Sequence, residues 1–473
     1  MVLSLLLSGL LVATTLAVVE FVQLRQARRE LQRTEGDGTP SPQGGGLGKL
    51  LEDLVDELLG ANPISTGPDL VRCLGELGQA QPAAPPAGTL EEQVDVLAGQ
   101  VEDIRGLRFK HPVEPRFLSP DETSRRVQEL FLKDYSAQTA DTEGRILSAL
   151  GAIPPGLDLR QTRAQALGSQ VVGFYVPKTG ELVVQTQDQE LGALDRTTLA
   201  HELEHALADQ NLGFPIPLEP KPGREDRDLA GIALVEGDAT LTMQRYVLTL
   251  PFDQQLQLAD PSLAAEAQVG LSRIPYYLRQ ELLFPYEDGL SFVCGRYAGG
   301  GWPAVNRAYA DPPTTSAQIL FPERYAAGED AVDPSDPGDP GGGWSKEGEH
   351  ELGAANLAWL FEAPGGERSR SLDHPLAVAS VWAGGEVHVW ERGEETALGV
   401  ALAERPGEEV LCPGITQWYE RAFPGTRTGG SASGDGLVLD GSRQDAILRC
   451  TADEVHLGIA PDLATAGRVA RAG

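Results

Sequence analysis

The sequence predicts a helix-rich α+β protein with a small β-hairpin before its central helix and a transmembrane helix at its N-terminus. Residues 197–210 contain His-Glu-x-x-His within a run that has helical spacing of apolar residues. Two runs rich in β-branched and aromatic residues, 171–176 and 181–185, flank a Pro/Gly turn. Residues 2–19 carry no charge and are rich in Leu, Val and Ala.

Length and charge set the broad class. The chain has 473 residues, 41% of them hydrophobic, which is enough for two or three compact units with a sizeable core. Its formal net charge is −31, so it would repel the phosphates of a nucleic acid. Nucleic acid is therefore excluded as a partner, and the acidity by itself indicates no substrate.

The apolar run at residues 2–19 is just long enough to span a membrane and longer than most signal-peptide cores. The basic residues follow the run rather than precede it (Arg25, Arg28, Arg29 and Arg33). The positive-inside rule then places the body in the cytoplasm. The opposing interpretation, which we favour, is an export signal-anchor with an extracytoplasmic body.

Four cysteines occur, and an even number permits disulfides. Cys412 and Cys450 are the pair to test first, although four buried thiols would fit a chain of this length equally well.

Residues 25–88 are predicted to be a tether, with Pro/Gly-rich stretches at 36–46 and 81–88 and short helices between them. Capping boxes then begin helices at Thr89 and Ser119. The two runs around residues 177–180 read as a hairpin. A strand at this position is where zinc peptidases hold an extended substrate by strand addition, but an ordinary structural hairpin fits as well.

The His-Glu-x-x-His run is predicted to be a helix capped by Asp195. His201 and His205 are four residues apart, so they project from one face and can bind one ion. Glu202 can hold the water that the ion acidifies and pass its proton to a leaving amine. The pattern is typical of a catalytic zinc site.

Less specific interpretations of the motif remain open. The two histidines would also suit a solvated helix face, a structural zinc site or a relic of a catalytic one. Structural sites favour cysteine ligands, and no cysteine lies near these histidines in sequence.

A catalytic zinc site needs a third protein ligand and an open fourth position. Glu236 is the best candidate, because it lies amid apolar residues of a second predicted helix, where a free carboxylate would be costly. Asp238 is its rival. Alternatively, Asp238 and Asp209 do not bind the metal but contact the histidine rings on the side away from it, and so orient them. Gly237 would let the two helices approach closely.

Residues 284–325 are rich in Gly, Pro, Trp and Tyr, which suits either irregular pocket walls or an aromatic loop on a core. Tyr286 and Tyr309 are candidates for stabilising an oxyanion. Residues 331–343 are predicted to be a flexible acidic linker. Its three aspartates suit weak calcium binding, although their spacing is not that of an EF-hand.

Several motifs together resemble a family of uncharacterised bacterial zincin-like proteins, gluzincin-type metallopeptidases that are often secreted or membrane-tethered. They are Glu102-Asp103-Ile104-Arg105-Gly106-Leu107, Gly173-Phe174-Tyr175, the His-Glu-x-x-His-Ala-Leu-x-Asp-Gln helix, Leu234-Val235-Glu236-Gly237-Asp238-Ala239, Pro285-Tyr286, Gly301-Trp302, Ala304-Val305-Asn306 and Pro312-Pro313. The match covers more than half of the chain.

The resemblance implies a zincin-like fold with Zn²⁺ bound by His201, His205 and Glu236, and with Glu202 as the catalytic carboxylate. The chain departs from the family pattern where Ala317 replaces Glu, Phe321 replaces His and Val176 replaces Asp. If the missing Glu or His supports the site, activity is weakened or lost.

The predicted organisation is a transmembrane signal-anchor (1–24), the tether (25–88), a zincin-like catalytic domain (89–330), the acidic linker (331–344) and a C-terminal α+β region (345–473). The predicted function is that of a membrane-tethered zinc metallopeptidase acting on a peptide or protein. The alternative is a catalytically weak or inactive zincin-like surface protein that kept the zinc helix and binds a partner.

Overall fold

The structure is a computed structural model. It describes residues 6–7, 73, 88–186, 191–217, 221, 223–258, 260, 271–430, 436–441 and 444–472. The predicted helices between residues 47 and 77 and most of the predicted transmembrane segment lie outside these residues.

A four-stranded sheet and four helices form the N-terminal part. The strands are β1 (Leu6–Leu7), β2 (Arg116–Leu118), β3 (Gly173–Val176) and β4 (Glu181–Gln185), in the order β1-β3-β4-β2. The helices are α1 (Leu90–Arg105), α2 (Pro120–Asp134), α3 (Ala137–Ala149) and α4 (Leu159–Gln170). Both predicted capping boxes are confirmed, at Thr89 and at Ser119. The hairpin is confirmed as well, because β3 and β4 pair antiparallel.

Four helices build the centre: α5 (Ala193–Asn211), α6 (Glu225–Val247), α7 (Phe252–Leu258) and α8 (Tyr276–Ala310). Almost every residue of α5 and α6 is buried, so the helices lie inside the protein. Gly237 of α6 allows a close approach, but its partner is α8 and not α5. A Cβ atom at Gly237 would lie 2.2 Å from the carbonyl oxygen of Gly289.

The aromatic segment 284–325 is helical, contrary to the prediction of irregular walls. α8 continues through Pro285 and is interrupted only at Gly300 and Gly301, where the backbone is not helical. Two short helices follow, α9 (Ser316–Leu320) and α10 (Pro322–Ala327). The Gly- and Pro-rich composition of this segment therefore corresponds to a single kink at Gly300 and Gly301 and not to a loop.

The C-terminal part is a seven-stranded antiparallel sheet with helices packed on it. Its order is β5-β6-β7-β11-β10-β9-β8. The strands are β5 (Ser345–Glu351), β6 (Trp382–Arg392), β7 (Glu395–Glu404), β8 (Arg427–Gly430), β9 (Leu437–Asp440), β10 (Asp445–Cys450) and β11 (Glu454–Ala460). The helices are α11 (Ala354–Glu362), α12 (Pro375–Ala379), α13 (Leu411–Ala422) and α14 (Leu463–Val469). One apolar core runs from α6 and α8 through α11 into the sheet.

The predicted fold class is wrong in two respects. The predicted fold class included only a small hairpin sheet. The structure also contains a large antiparallel sheet, so the protein is a mixed α/β structure. The predicted fold class also included an N-terminal transmembrane helix, yet Leu6 and Leu7 form a strand that pairs with Tyr175 and Phe174 of β3. Among the described residues, no helix is both long and apolar enough to cross a membrane. The prediction of a single-pass membrane protein is therefore not supported.

Two disulfides join distant parts of the chain. The predicted Cys412–Cys450 bridge is confirmed, and it links α13 to β10. The second, Cys73–Cys294, ties a residue before α1 to the middle of α8.

The N-terminus of α6 is held by α9 and β5 through a buried and a partly buried carboxylate. Asp226 accepts a hydrogen bond from the backbone of Ser316 (3.0 Å), and Glu351 accepts one from the backbone of Asp226 (2.9 Å). Burial raises the pKa of Asp226 to about 6 and that of Glu351 to about 7.

This arrangement predicts a pH-dependent effect of Asp226→Asn. Between the ordinary pKa of 3.8 and the folded value of about 6, the folded protein binds a proton that the unfolded chain has lost. Wild-type stability therefore falls as the pH rises through this window, by about 3 kcal/mol for this group. We expect Asp226→Asn to gain stability relative to wild type between pH 4.5 and 7.5, as measured by urea unfolding. The exposed control Asp103→Asn should show no such gain, and equal pH profiles for the two variants would contradict the expectation.

Candidate metal centre

Two adjacent helices bring the three predicted ligands together. His201 and His205 lie on α5, and Glu236 lies on α6. The Nε2 atoms of the histidines are 2.9 Å apart, and Glu236 Oε2 lies 3.1 Å from His201 Nε2 and 3.4 Å from His205 Nε2. One turn of helix separates the histidines, so both face α6. His201, His205 and Glu236 therefore form one cluster.

The donor set fits a metal ion. Tetrahedral ligands with metal bonds of about 2.1 Å lie about 3.4 Å apart, close to the separations in the cluster. Burial and repulsion between the rings lower the pKa of His201 to about 4, and burial lowers that of His205 to about 3. Both imidazoles are therefore neutral at neutral pH and can offer a lone pair. A carboxylate and two imidazole nitrogens that converge on one point could hold a metal ion between them.

Helix α5 begins earlier than predicted. Its N-cap is Gly192, and Asp195 occupies the third helical position, where its carboxylate accepts the backbone N–H of Gly192 at 2.9 Å. Asp195 thus caps the helix from inside rather than in front. The correction does not alter the face on which the histidines lie.

Glu202 lies beside strand β3. Its side chain is fully buried, and a Cβ atom added to Gly173 would lie 3.4 Å from its Cγ and 3.0 Å from the carbonyl oxygen of Val183. Glycine at position 173 therefore lets β3 and α5 pack closely, which brings the carboxylate of Glu202 against the strand. The residue is next to one ligand in sequence and lies against β3, which pairs with β1 and β4.

A buried ion pair supports the centre from behind. Arg105 at the end of α1 donates hydrogen bonds to Asp238 from Nε (3.0 and 3.2 Å) and from Nη2 (2.9 Å), and its Nε lies 3.5 Å from Glu204. All three side chains are fully buried. Burial and the charge of Asp238 raise the pKa of Glu204 well above its ordinary value. Arg105 and Asp238 form the ion pair, and Glu204 lies beside it.

This ion pair decides between the two candidate ligands on α6. Asp238, the rival of Glu236, is held by Arg105 and does not belong to the metal cluster. Glu204 is the carboxylate that approaches a ligand from behind, with Oε2 4.0 Å from His205 Nδ1. Asp209 has a different partner, because it accepts a hydrogen bond from Tyr175 at 2.7 Å.

The two tyrosine candidates lie in different places. The ring of Tyr286 stacks on His201, with centroids 6.2 Å apart, and its hydroxyl hydrogen-bonds to Glu236. Burial raises the pKa of Glu236, and the hydrogen bonds from His201 and Tyr286 oppose that rise. Tyr309 lies beside the ion pair. Burial, Asp238 and Glu204 together raise its pKa well above the ordinary range. Only Tyr286 therefore reaches the metal cluster.

The chain departs from the pattern of the family it resembles at Ala317 and Phe321. Ala317 lies on α9, and Phe321 follows directly after it. The neighbouring Ser316 contacts Asp226, ten residues before Glu236. Ten helical residues span about 15 Å, so α9 is attached to the far end of α6. Ala317 is itself buried in the core.

The centre is enclosed in this conformation. His201, His205 and Glu202 are 0% exposed, and Glu236 is 2% exposed. β1 pairs with β3, the strand that contacts Glu202. An incoming strand would therefore compete with Leu6 and Leu7 for the same edge.

Sequence reasoning missed Arg105 and Glu204 as supporting residues. Both stood inside the quoted motifs, and the signal was available. An arginine on the helix that carries Val101 and Ile104, and a second carboxylate inside the His-Glu-x-x-His run, both indicate paired burial. Their pairing joins α1 to α5 and α6, which are about a hundred residues later in the chain.

Comparisons of the chain with models of known protein families, with curated proteins and with solved structures found no match. The family resemblance therefore stays a prediction that rests on the quoted motifs.

Proposed function

We propose that this protein is a zinc-dependent metallopeptidase that hydrolyses peptide bonds. The observation that carries the proposal is the convergence of His201, His205 and Glu236, with a glutamate directly after the first histidine. Two imidazoles and one carboxylate are a common ligand set of catalytic zinc, and they leave a fourth position open. The donor set has no cysteine, which structural zinc sites favour.

The chemistry is divided between the ion and the chain. Zinc, when bound, lowers the pKa of water and polarises a carbonyl group. Glu202 accepts the proton of the attacking water and transfers it to the leaving amine. Tyr286 holds the carboxylate of Glu236 by its hydrogen bond and covers one face of His201. Glu204, Asp238 and Arg105 keep the rear of α5 and α6 in place.

A peptide substrate would bind as an added strand on β3. The backbone of β3 passes Glu202 at Gly173, so a strand added to β3 on the side opposite β4 would present a peptide bond to that carboxylate. β1 occupies this edge, and substrate binding on this route therefore requires displacement of β1.

A second candidate function is a metal-stabilised binding protein without turnover. The complete burial of His201, His205 and Glu202 favours it, because structural metal sites are closed whereas catalytic sites keep an open position.

Metal content tests the centre itself. We expect Glu236→Ala to lose one equivalent of zinc relative to wild type after dialysis against zinc and then buffer, because one of three protein ligands is gone. Inductively coupled plasma mass spectrometry on the full chain gives the stoichiometry. Glu129→Ala is the matched control, a surface glutamate of α2 that should keep the wild-type value. Equal zinc in wild type and Glu236→Ala would rule out the site.

A further inference from the structure

The predicted flexible linker is an ordered strap across the large sheet. Its prolines recur every third residue, and Pro334, Pro337 and Pro340 are buried while the aspartates that precede them are exposed. A three-residue period is that of a polyproline II strand, which presents one face to the sheet. A Cβ atom at Gly399 of β7 would lie 2.5 Å from Pro337, so the strap lies directly on the sheet.

The strap brings Asp336 to two side chains of β6. Glu386 and His388 are two residues apart on one face of the strand, and the imidazole contacts the carboxylate. One ligand atom each from Asp336, Glu386 and His388 lies within 4.8 Å of the other two. Glu349 of β5 pairs with His388 in register, and its Oε1 lies 3.9 Å from His388 Nε2.

The cluster has an excess of negative charge. Three carboxylates approach one imidazole, and the lysine of this region, Lys346, is engaged with Glu349. The ring of His388 is only 1% exposed. Its Nε2 faces the carboxylates, and its Nδ1 has no hydrogen-bond partner within the described part of the chain. The imidazole is buried and the carboxylates converge on its Nε2, so the cluster offers one nitrogen and two or three oxygen donors to a cation.

A nearly identical site on the same sheet shows how the strap satisfies a carboxylate without a cation. β11 carries the same tripeptide, Glu454-Val455-His456, with 3.0 Å between His456 Nε2 and Glu454 Oε2. Here the strap supplies donors, because the backbone N–H and the hydroxyl of Ser335 bond to Glu454 at 3.0 and 3.2 Å. The next residue of the strap, Asp336, lies at the corresponding pair on β6, Glu386 and His388. It adds a second carboxylate there, whereas Ser335 supplies hydrogen-bond donors to Glu454.

We propose that Asp336, Glu386 and His388 form a second metal site, which binds a divalent transition ion and fastens the strap to the sheet. The mixture of one imidazole with carboxylates suits zinc or manganese better than calcium, which takes oxygen ligands. Glu349 is close enough to serve as a further ligand. This site is independent of the proposed peptidase centre, with which it shares no residue.

The test uses the full chain with Glu236→Ala, so that the peptidase centre does not contribute, and zinc as the probe in isothermal titration calorimetry. We expect this chain to bind one equivalent of zinc. Adding Asp336→Asn should weaken the affinity at least tenfold, and adding His456→Ala, the control in the matched tripeptide, should change it less than twofold. Asp336 is exposed, so its variant should keep the fold, which circular dichroism verifies.

The outcomes separate the two sites. No zinc binding by the Glu236→Ala chain, or equal affinities with Asp336→Asn and with His456→Ala, would overturn the second site. The wild-type chain could also bind only one equivalent of zinc. If that binding is unchanged by Glu236→Ala but lost with Asp336→Asn, the result would support the second site and reject the peptidase centre. Glu386→Gln provides a second variant with the same expected loss of zinc affinity.

Discussion

Glu202→Gln is expected to abolish peptide hydrolysis while leaving the zinc content unchanged. The amide has nearly the same size and fits the buried position beside Gly173, but it cannot accept a proton from water. Loss of a general base costs about 10²- to 10⁴-fold in turnover. The measurement is cleavage of a mixed-sequence peptide library by the zinc-loaded full chain, followed by mass spectrometry.

The control for this variant is Glu129→Gln, which should hydrolyse at the wild-type rate. Equal cleavage by wild type and Glu202→Gln would exclude the proposed general base. No cleavage by zinc-loaded wild type, together with normal zinc binding, would favour the metal-stabilised binding protein. Measurements of cleavage and zinc content on the same samples therefore distinguish the two candidate functions.

Arg105→Ala is expected to have the largest effect on stability. The guanidinium is fully buried and neutralises Asp238, with Glu204 3.5 Å away. Removing one partner of a buried ion pair leaves an uncompensated charge, which costs about 3–5 kcal/mol. Trp302 packs 4.4 Å from the guanidinium, so the substitution also removes this contact. Urea unfolding followed by circular dichroism gives the stability of each variant.

Arg108→Ala is the matched control, three residues further on. Arg108 is 65% exposed and pairs with Asp103, which is 75% exposed. Exposed pairs contribute about 0–1 kcal/mol, so this variant should unfold nearly as wild type does. Adding Asp238→Asn to Arg105→Ala should recover part of the lost stability, because the isolated charge is removed. Equal effects of Arg105→Ala and Arg108→Ala would contradict the role of the buried pair.

Local patterns in the sequence were sufficient for several elements. The capping boxes at Thr89 and Ser119 and the hairpin of β3 and β4 depend on neighbouring residues, and all are present. The ligand cluster was predictable for a related reason. His201 and His205 share a helix face, and Glu236 was conspicuous as a carboxylate among apolar residues.

Other features depend on partners that are distant in the chain. Hydropathy predicted a transmembrane helix over residues 2–19, whereas the described residues Leu6 and Leu7 extend the sheet at β3. An apolar run satisfies either environment, so composition does not decide between them. Residues 331–343 looked flexible because Asp, Pro and Gly predominate, yet the spacing of the prolines fits the sheet surface.

The sequence by itself determined the helix of the two histidines and the choice of Glu236 as the third ligand to test. These follow from helical periodicity and the cost of burying charge. The number of cysteines only permitted disulfides, and the structure selected the Cys412–Cys450 pair. Only the tertiary structure decided that Arg105 holds Asp238 away from the metal cluster, that β1 occupies the edge beside Glu202, and that Asp336 meets His388. Each of these contacts joins residues more than fifty positions apart, and no local pattern encodes which distant surfaces pack together.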